Sequence, residues 1–246
     1  MRKFEDVEVI IFDYGNTLIY DPFIDILTDD FVGFVSSKVN KSREKVRYAL
    51  IKANKEINYP HITHFAQEEP IIWHALKSLD VDAQNRLFLS LEILRKYRKG
   101  YKKVIKRYVK KGEIKSVFEY LFKKGKRLGV ISNGRTVDLY SVLELLKIRK
   151  YCDFTLSSEE FGIEKPDKRI FNHMLKLFKI PAKKALYVGD DPVRDVAPAK
   201  TLGMKAILCK PPKKYTKPLP WRKYNVKIKK KPDLVINNLS ELKKIF

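Results

Sequence analysis

Short apolar runs alternate along the chain with longer segments whose apolar residues recur at every third or fourth position. The short runs predict buried strands, and they cover residues 7–12, 127–132, 185–188, 205–208 and 234–236. The segments 113–124 and 170–178 have the spacing of amphipathic helices. Because such strands alternate with such helices, the pattern predicts an α/β fold with a mostly parallel sheet.

Residues 18–106 follow a different pattern, without a convincing buried strand. The apolar spacing there predicts helices, over residues 31–39, 44–56, 70–79 and 83–99, with a break at 58–61. We therefore expect a helical insert between the first strand and the rest of the sheet. A second irregular stretch, 210–231, is rich in proline and lysine and is predicted to form a surface loop or arm before the last strand.

The composition indicates a globular protein and argues against a membrane-spanning or disulfide-rich one. Of 246 residues, 44% are hydrophobic and 12% aromatic, which indicates a globular chain. No apolar run approaches the roughly 18 residues of a membrane-spanning helix, and residues 1–7 are charged and lack a signal segment. Cys152 and Cys209 do not form a disulfide framework. We expect a cytoplasmic protein with no membrane partner.

The formal net charge of +23 is large for this length. The excess lies mainly in two stretches rich in Lys and Arg, 93–112 and 196–232, that contain no acidic residue. Such stretches fit either a nucleic acid or other anionic partner, or an ordinary solvated surface. The aromatic residues within them could stack on bases or pack in a core: Tyr97, Tyr101, Tyr108, Tyr215, Trp221 and Tyr224.

Polar residues that carry chemistry follow the predicted strands, at the sheet edge where ligands bind in parallel α/β folds. Asp13 leaves the first strand into a turn that contains Gly15, and Ser132 and Asn133 follow a later strand. Lys165 precedes a predicted helix, and residues 189–195 place several acids on another turn. A carboxylate nucleophile, a hydroxyl, a lysine and an acidic metal site together predict phosphoryl transfer.

In their order and spacing, these four segments resemble the motifs of the haloacid dehalogenase superfamily. Phe161 and Gly162 before Lys165, and residues 199–204 after Asp195, are also similar to that family. The resemblance implies a Rossmann-like parallel-sheet core formed by residues 1–17 and 107–246. Residues 18–106 would then be a helical cap domain. It further implies a magnesium-dependent phosphatase acting on a small phosphorylated substrate, with an oligomeric state that the sequence does not reveal.

The resemblance also implies roles for individual residues. Asp13 would be the nucleophile that forms an aspartyl-phosphate, Ser132 and Asn133 would bind the phosphoryl oxygens, and Lys165 would hold both Asp13 and the phosphate. Asp191 is interpreted first as a helix N-cap. Magnesium would be bound by four residues: Asp13, Gly15 through its carbonyl, Asp190 and Asp195.

One position departs from the family pattern. Phosphatases of the family usually carry a second aspartate two residues after the nucleophile, where it serves as the general acid and base. Here that residue is Gly15, and positioned acid–base catalysis is worth roughly 10²–10⁴-fold in rate. Because His61, His64 and His74 lie in the helical insert, they are candidates for substrate contact or proton transfer.

Two alternatives to a phosphatase stay open at this point. The dehalogenases of the family also lack the second aspartate, but they use no metal, have a neutral residue where Asp190 stands, and carry an arginine early in the cap. Residues 18–42 contain no arginine, so the acids at 190–191 favour the metal-dependent phosphatase. The other alternative is a non-catalytic protein of the same fold that binds nucleic acid or an acidic partner through its basic surface.

Overall fold

The described strands form a six-stranded sheet in the order β3-β2-β1-β4-β5-β6. A computed structural model describes residues 4–20, 25–58, 68–210 and 230–246. All five strand pairs are parallel, as expected for an α/β fold. The strands are β1 (Val9–Asp13), β2 (Arg127–Ser132), β3 (Cys152–Ser157), β4 (Ala185–Gly189), β5 (Lys205–Cys209) and β6 (Leu234–Ile236).

In the described residues, helices connect the strands from β1 to β5. Those between β1 and β2 are α1 (Asp29–Val39), α2 (Arg43–Asn58), α3 (Glu68–Ser78), α4 (Ala83–Lys111) and α5 (Glu113–Lys123). Those after β2 are α6 (Thr136–Leu145), α7 (Ser158–Phe161), α8 (Lys168–Phe178) and α9 (Ala197–Thr201). A π-helical turn, Pro192–Val196, leads into α9. The helices expected at 31–39, 44–56, 70–79, 113–124 and 170–178 are confirmed.

Strand β1 lies at the centre of the sheet and is buried along its whole length. On one face, the Phe12 ring packs 4.7 Å from the ring of Phe118 in α5. Ile11 belongs to a buried cluster that includes Ile170 and Met174 of α8. Since helices cover both faces of the strand, its uninterrupted apolar sequence is explained by burial on both sides.

Three elements differ from the prediction. The sequence pattern did not predict β3, because it is an edge strand with Asp153 exposed, and its mixed sequence lacks an apolar run. Helix α6 was also not predicted. Helix α4 continues 12 residues beyond the expected end at 99, through Gly100. A side chain at Gly100 would lie 3.1 Å from Cγ2 of Ile26, so the glycine permits close packing there.

The described residues fall into two compact units. Residues 4–20, 107–210 and 230–246 form the sheet unit, and residues 25–58 and 68–106 form the helical unit. In the helical unit, Thr28 caps α1 by accepting a hydrogen bond from the backbone of Phe31, at 3.3 Å. None of the described helices is both long enough and apolar enough to cross a bilayer.

Candidate active site

Three of the predicted site residues, Asp13, Ser132 and Asp190, lie at the carboxyl ends of three neighbouring strands. Strand β1 pairs with β2 on one side and β4 on the other, so the order of the chain reverses at β1. The register places Asp13 beside Ile131, and Asp190 directly follows β4. A crevice at such a reversal is the usual ligand site of an open parallel sheet.

Lys165 is the centre of the site. Its side chain is only 2% exposed, and its ammonium group donates three hydrogen bonds. The acceptors are Oδ1 of Asp13 at 2.5 Å, Oδ1 of Asp195 at 2.7 Å and the hydroxyl of Tyr187 at 3.0 Å. An ammonium has three donor hydrogens, so these contacts satisfy Lys165 completely and set its position between the two carboxylates.

The loop after β2 positions the backbone of Lys165. The side-chain oxygen of Asn133 accepts from the Lys165 amide at 2.8 Å, and the Asn133 amide nitrogen donates to the Lys165 carbonyl at 2.8 Å. Two-point contact of this kind restrains both the place and the orientation of the backbone. The predicted substrate contact of Asn133 stays a prediction; the observed contact is with Lys165.

Asp195 is held by the turn that follows β4. Oδ1 of Asp191 accepts hydrogen bonds from the backbone amides of Val193 at 2.8 Å and Arg194 at 3.0 Å, which confirms the N-cap interpretation. Oδ2 of Asp195 accepts in turn from the Asp191 amide at 3.0 Å. The Asp195 carboxylate is 1% exposed, and this bond and the one from Lys165 use both of its oxygens.

Gly189 makes room for that carboxylate. A Cβ built at Gly189 would overlap Asp195, only 2.5 Å from its Cγ, whereas real Cβ atoms essentially never come closer than 3.0 Å to another heavy atom. The glycine therefore lets the acid pack directly on the end of β4.

We expect Gly189→Ala to lower the free energy of unfolding by about 1–3 kcal/mol, the usual effect of overpacking, and to displace Asp195. Urea unfolding of the variant measures the first effect. Gly125→Ala is not a suitable control because Gly125 has a positive φ of 73°; Gly15→Ala is, because a Cβ there meets nothing within 4 Å. Equal stability of the Gly189→Ala variant and wild type would contradict this account.

Three carboxylates converge at the site. One oxygen each of Asp13, Asp190 and Asp195 lie within 4.8 Å of one another. Burial raises the pKa of Asp195 to about 8, with Lys165 acting in the opposite direction and the neighbouring acids adding to the rise. Burial opposes the charge on Lys165, but Asp13 and Asp195 outweigh it and raise its pKa well above the usual range.

This cluster suits a divalent cation. Three carboxyl groups lie around one ammonium in a mostly buried place. A bound cation would favour their ionised forms, and oxygen ligands are those that magnesium prefers. The acids brought together are three of the four predicted metal ligands. The fourth, the Gly15 carbonyl, stays a prediction.

The turn after Asp13 is tightly closed. The amides of Leu18 and Ile19 both donate to the Tyr14 carbonyl, at 3.0 and 3.2 Å. The hydroxyl of Thr17 donates to Oδ2 of Asp13 at 3.0 Å, so both oxygens of the Asp13 carboxylate have a partner. Gly15 itself does not have a positive φ, and open space surrounds the position of a Cβ.

Other predicted residues have mixed outcomes. Ser132 ends β2 and is buried, and its hydroxyl makes no hydrogen bond to any described part of the chain. The side chain of His74 is exposed, whereas His61 and His64 lie outside the described residues.

Two side chains at the site were missed by the sequence analysis. Tyr187 belongs to the apolar run of β4 and resembles a core residue, and Thr17 lies in a turn. Tyr187 belongs to the site through its contact with Lys165, 22 residues away in sequence, and Thr17 through its contact with Asp13, four residues earlier in the turn. No local pattern distinguishes such contacts from ordinary packing.

Comparison with known proteins identifies relatives of the chain. The model of the family described as haloacid dehalogenase-like hydrolase matches residues 36–209. A glyceraldehyde 3-phosphate phosphatase of Methanocaldococcus jannaschii is 40% identical over 83 residues, 34% of this chain and 36% of the relative. A ribulose-1,5-bisphosphate 5-phosphatase of Halopiger xanaduensis is 33% identical over 99 residues, 40% of this chain and 41% of the relative. The matched region thus spans well under half of these curated relatives.

Solved structures share the fold over nearly the whole chain. A HAD phosphatase from Thermococcus onnurineus aligns with a TM-score of 0.65 and 20% identity, covering 97% of both chains. A 2-haloacid dehalogenase from Pseudomonas syringae pv. Tomato DC3000 aligns with a TM-score of 0.64 and 24% identity, again over 97% of both chains. At these identities, the likeness establishes the fold.

Proposed function

The chain belongs to the haloacid dehalogenase-like hydrolases, and from this premise we propose that it is a magnesium-dependent phosphatase acting on a small phosphorylated metabolite through an aspartyl-phosphate. One observation carries the proposal: the Asp13 carboxylate meets Lys165 at 2.5 Å and lies in a cluster with Asp190 and Asp195. Enzymes that transfer phosphoryl groups combine such a nucleophilic carboxylate with a nearby cation and a site for a metal ion such as magnesium.

Asp13 is the group that attacks phosphorus in this proposal. The bond to Lys165 and the bond from Thr17 hold its carboxylate in one orientation, which reduces the entropy lost on reaching the transition state. Attack by one carboxylate oxygen forms the bond to phosphorus as the bond to the leaving oxygen breaks. Water then attacks the phosphorus of the aspartyl-phosphate and regenerates Asp13 with release of phosphate.

Charge on the transferring phosphoryl group is balanced by two groups of this chain. The Lys165 ammonium is fixed between Asp13 and Asp195. The Ser132 hydroxyl at the end of β2, which has no hydrogen bond within the described part of the chain, would donate to a phosphoryl oxygen. Donors fixed before the reaction need little reorganisation when charge develops. Asp13, Asp190 and Asp195 would hold magnesium, which neutralises phosphoryl oxygen charge when bound.

The choice of substrate class rests on the relatives. Glyceraldehyde 3-phosphate and ribulose 1,5-bisphosphate, the substrates in the names of two relatives, are both small sugar phosphates. The structural likeness to a 2-haloacid dehalogenase is a likeness of fold. Because Asp190 places a third carboxylate in the cluster, the site favours metal-dependent phosphoryl transfer over metal-free dehalogenation.

The test is a panel of phosphorylated metabolites, weighted toward sugar phosphates, assayed with and without magnesium. A short series of 2-chloro acids is assayed in parallel. We expect magnesium-dependent release of phosphate from at least one sugar phosphate and no release of chloride. Chloride release without added metal would favour the dehalogenase alternative, and no turnover of either series would favour the non-catalytic one.

We expect Asp190→Asn to weaken magnesium binding at least about tenfold, since loss of a residue around a metal commonly costs 10–100-fold in affinity. Isothermal titration calorimetry with magnesium chloride measures the affinity directly. The matched control is Asp191→Asn, because Asp191 is the adjacent carboxylate, serves as an N-cap, and asparagine caps equally well. Equal magnesium affinity in the two variants would remove Asp190 from the metal site.

A further inference from the structure

Four cations lie in a line on the exposed face of α4. Arg95, Lys99, Lys102 and Lys106 are all exposed. At about 100° per residue they fall within about 60° of helix circumference, and they span about 16 Å along the axis. We call this set the cationic row.

The opposite face of α4 is buried in the helical unit. Ile93, Leu94, Val104 and Ile105 are all buried. Tyr97 is buried as well, with its ring edge-on to that of Phe31 at 6.1 Å, so it is a packing residue and is unavailable for stacking. This packing sets the orientation of the helix, and the cationic row therefore faces solvent.

Acids close to α4 pair with cations beside the cationic row. Lys96 on one side contacts Asp30 at 2.8 Å, and Arg98 on the other contacts Glu69 at 3.0 Å. Within the described ranges, 4–20, 25–58, 68–210 and 230–246, no ion pair involves a member of the row. Like charges at this spacing on a helix repel one another, so the row carries positive charge that an anionic partner would neutralise.

The same face carries an exposed aromatic ring. Phe88 lies about two turns before the row on nearly the same line, and 65% of its surface is exposed. Leu87 and Leu91 beside it are also exposed. A planar ring followed by a line of cations matches the two elements that bind single strands, in which bases stack on aromatic side chains and phosphates follow a basic track.

We propose that Phe88 and the cationic row bind single-stranded nucleic acid, independently of the phosphatase activity. Arg95, Lys99, Lys102 and Lys106 contact successive phosphates, and Phe88 stacks on an unpaired base. A duplex offers phosphates to the cationic row, but its bases are stacked inside the helix, so it leaves Phe88 without a base to stack on. A bilayer of anionic lipid is the competing partner, and it is one outcome of the test.

Fluorescence anisotropy of the full chain with labelled 20-nucleotide single strands of RNA and DNA tests the proposal. Neutralising four phosphates on a single strand predicts a slope of about −2.8 in log affinity against log salt. Wild-type affinity should therefore fall about 50-fold between 50 and 200 mM KCl. Duplexes of the same length should bind at least about fivefold more weakly, because they lack an unpaired base.

Variants separate the two parts of the surface. Replacing all four members of the row by glutamine should weaken binding at least about tenfold at 50 mM KCl and flatten the salt slope. Phe88→Ala should weaken binding about tenfold and leave the slope unchanged, because stacking releases no counterions. The triple variant Lys99→Arg, Lys102→Arg and Lys106→Arg keeps the charges and should retain wild-type affinity.

The matched control removes four exposed lysines elsewhere, on the sheet unit: Lys124→Gln, Lys147→Gln, Lys176→Gln and Lys183→Gln. It has the same net charge as the row variant, and circular dichroism confirms that both are folded. Four results would overturn the proposal: no binding of single strands at 50 mM KCl, equal affinity of the row and control variants, duplexes bound as tightly as single strands, or binding only to vesicles containing phosphatidylglycerol.

Discussion

Asp13→Asn is expected to lower phosphatase turnover at least about 10³-fold, since the loss of a catalytic nucleophile commonly has effects of this size or larger. Asparagine has nearly the same shape as aspartate, and its oxygen can still accept from Lys165, so the surrounding structure should be retained. An amide is not a nucleophile toward phosphorus under these conditions. The variant should therefore fold, bind substrate and fail to form the covalent intermediate.

Two measurements on the variant separate chemistry from binding. Initial rates on the preferred sugar phosphate report turnover, and acid quenching with radiolabelled substrate reports the aspartyl-phosphate. Asp153→Asn makes the same chemical change on the exposed edge strand β3 and should leave both unchanged. Turnover of the Asp13→Asn variant within tenfold of wild type would show that Asp13 is not the nucleophile, whatever the substrate.

The second large effect concerns Gly15, where the family usually has the general acid and base. We expect Gly15→Asp to raise turnover of alkyl phosphates at least about tenfold, a small part of the roughly 10²–10⁴-fold that such a group supplies. The structure has room for a side chain at position 15. Gly15 lacks a positive φ, and an added Cβ would meet nothing within 4 Å.

The leaving group determines how large this effect should be. An alkyl oxygen is a poor leaving group that needs a proton, whereas an aryl oxygen leaves with little help. In wild type, aryl and acyl phosphates should therefore be turned over faster than alkyl phosphates, and the aspartyl-phosphate should persist because no carboxylate at position 15 activates water. Gly15→Asp should reduce both differences.

Gly15→Asn is the control for this variant, because it adds a side chain of the same size that cannot exchange a proton. Turnover is measured on matched aryl and alkyl substrates, together with urea unfolding of each variant. A folded Gly15→Asp protein whose alkyl-phosphate turnover equals that of Gly15→Asn would mean that another group of this chain carries the proton, or that the substrate needs none.

Several features of the site could be predicted because they depend on residues close in sequence. Asp13, Ser132 and Asp190 each end or follow a strand whose apolar sequence is evident, and parallel strands bring their carboxyl ends to one edge. The N-cap role of Asp191 depends on amides only two and three residues away. Local spacing was sufficient for each of these.

Other features arise from contacts between distant segments, and no local pattern signals them. Strand β3 has a mixed sequence with one exposed residue, Asp153, and it is defined as a strand by its pairing with β2. The hydroxyl of Tyr187 accepts a hydrogen bond from Lys165, which is 22 residues away in sequence. The side chain of Asn133 hydrogen-bonds the backbone of Lys165, which is 32 residues away in sequence. From the sequence alone, Tyr187 is indistinguishable from a core residue and Asn133 from an ordinary turn residue.

By itself, the sequence determined the α/β class, the order of the four motifs and the absence of a carboxylate at Gly15, because hydrophobic periodicity and residue identity are properties of the chain alone. Only the tertiary structure decided how the charges are arranged. Folding places Lys165 between Asp13 and Asp195, and it pairs the acids near α4 with flanking cations while leaving the cationic row exposed. The physical reason is distance, since electrostatic and hydrogen-bond energies depend on separations in space that are set by the packing of helices and strands.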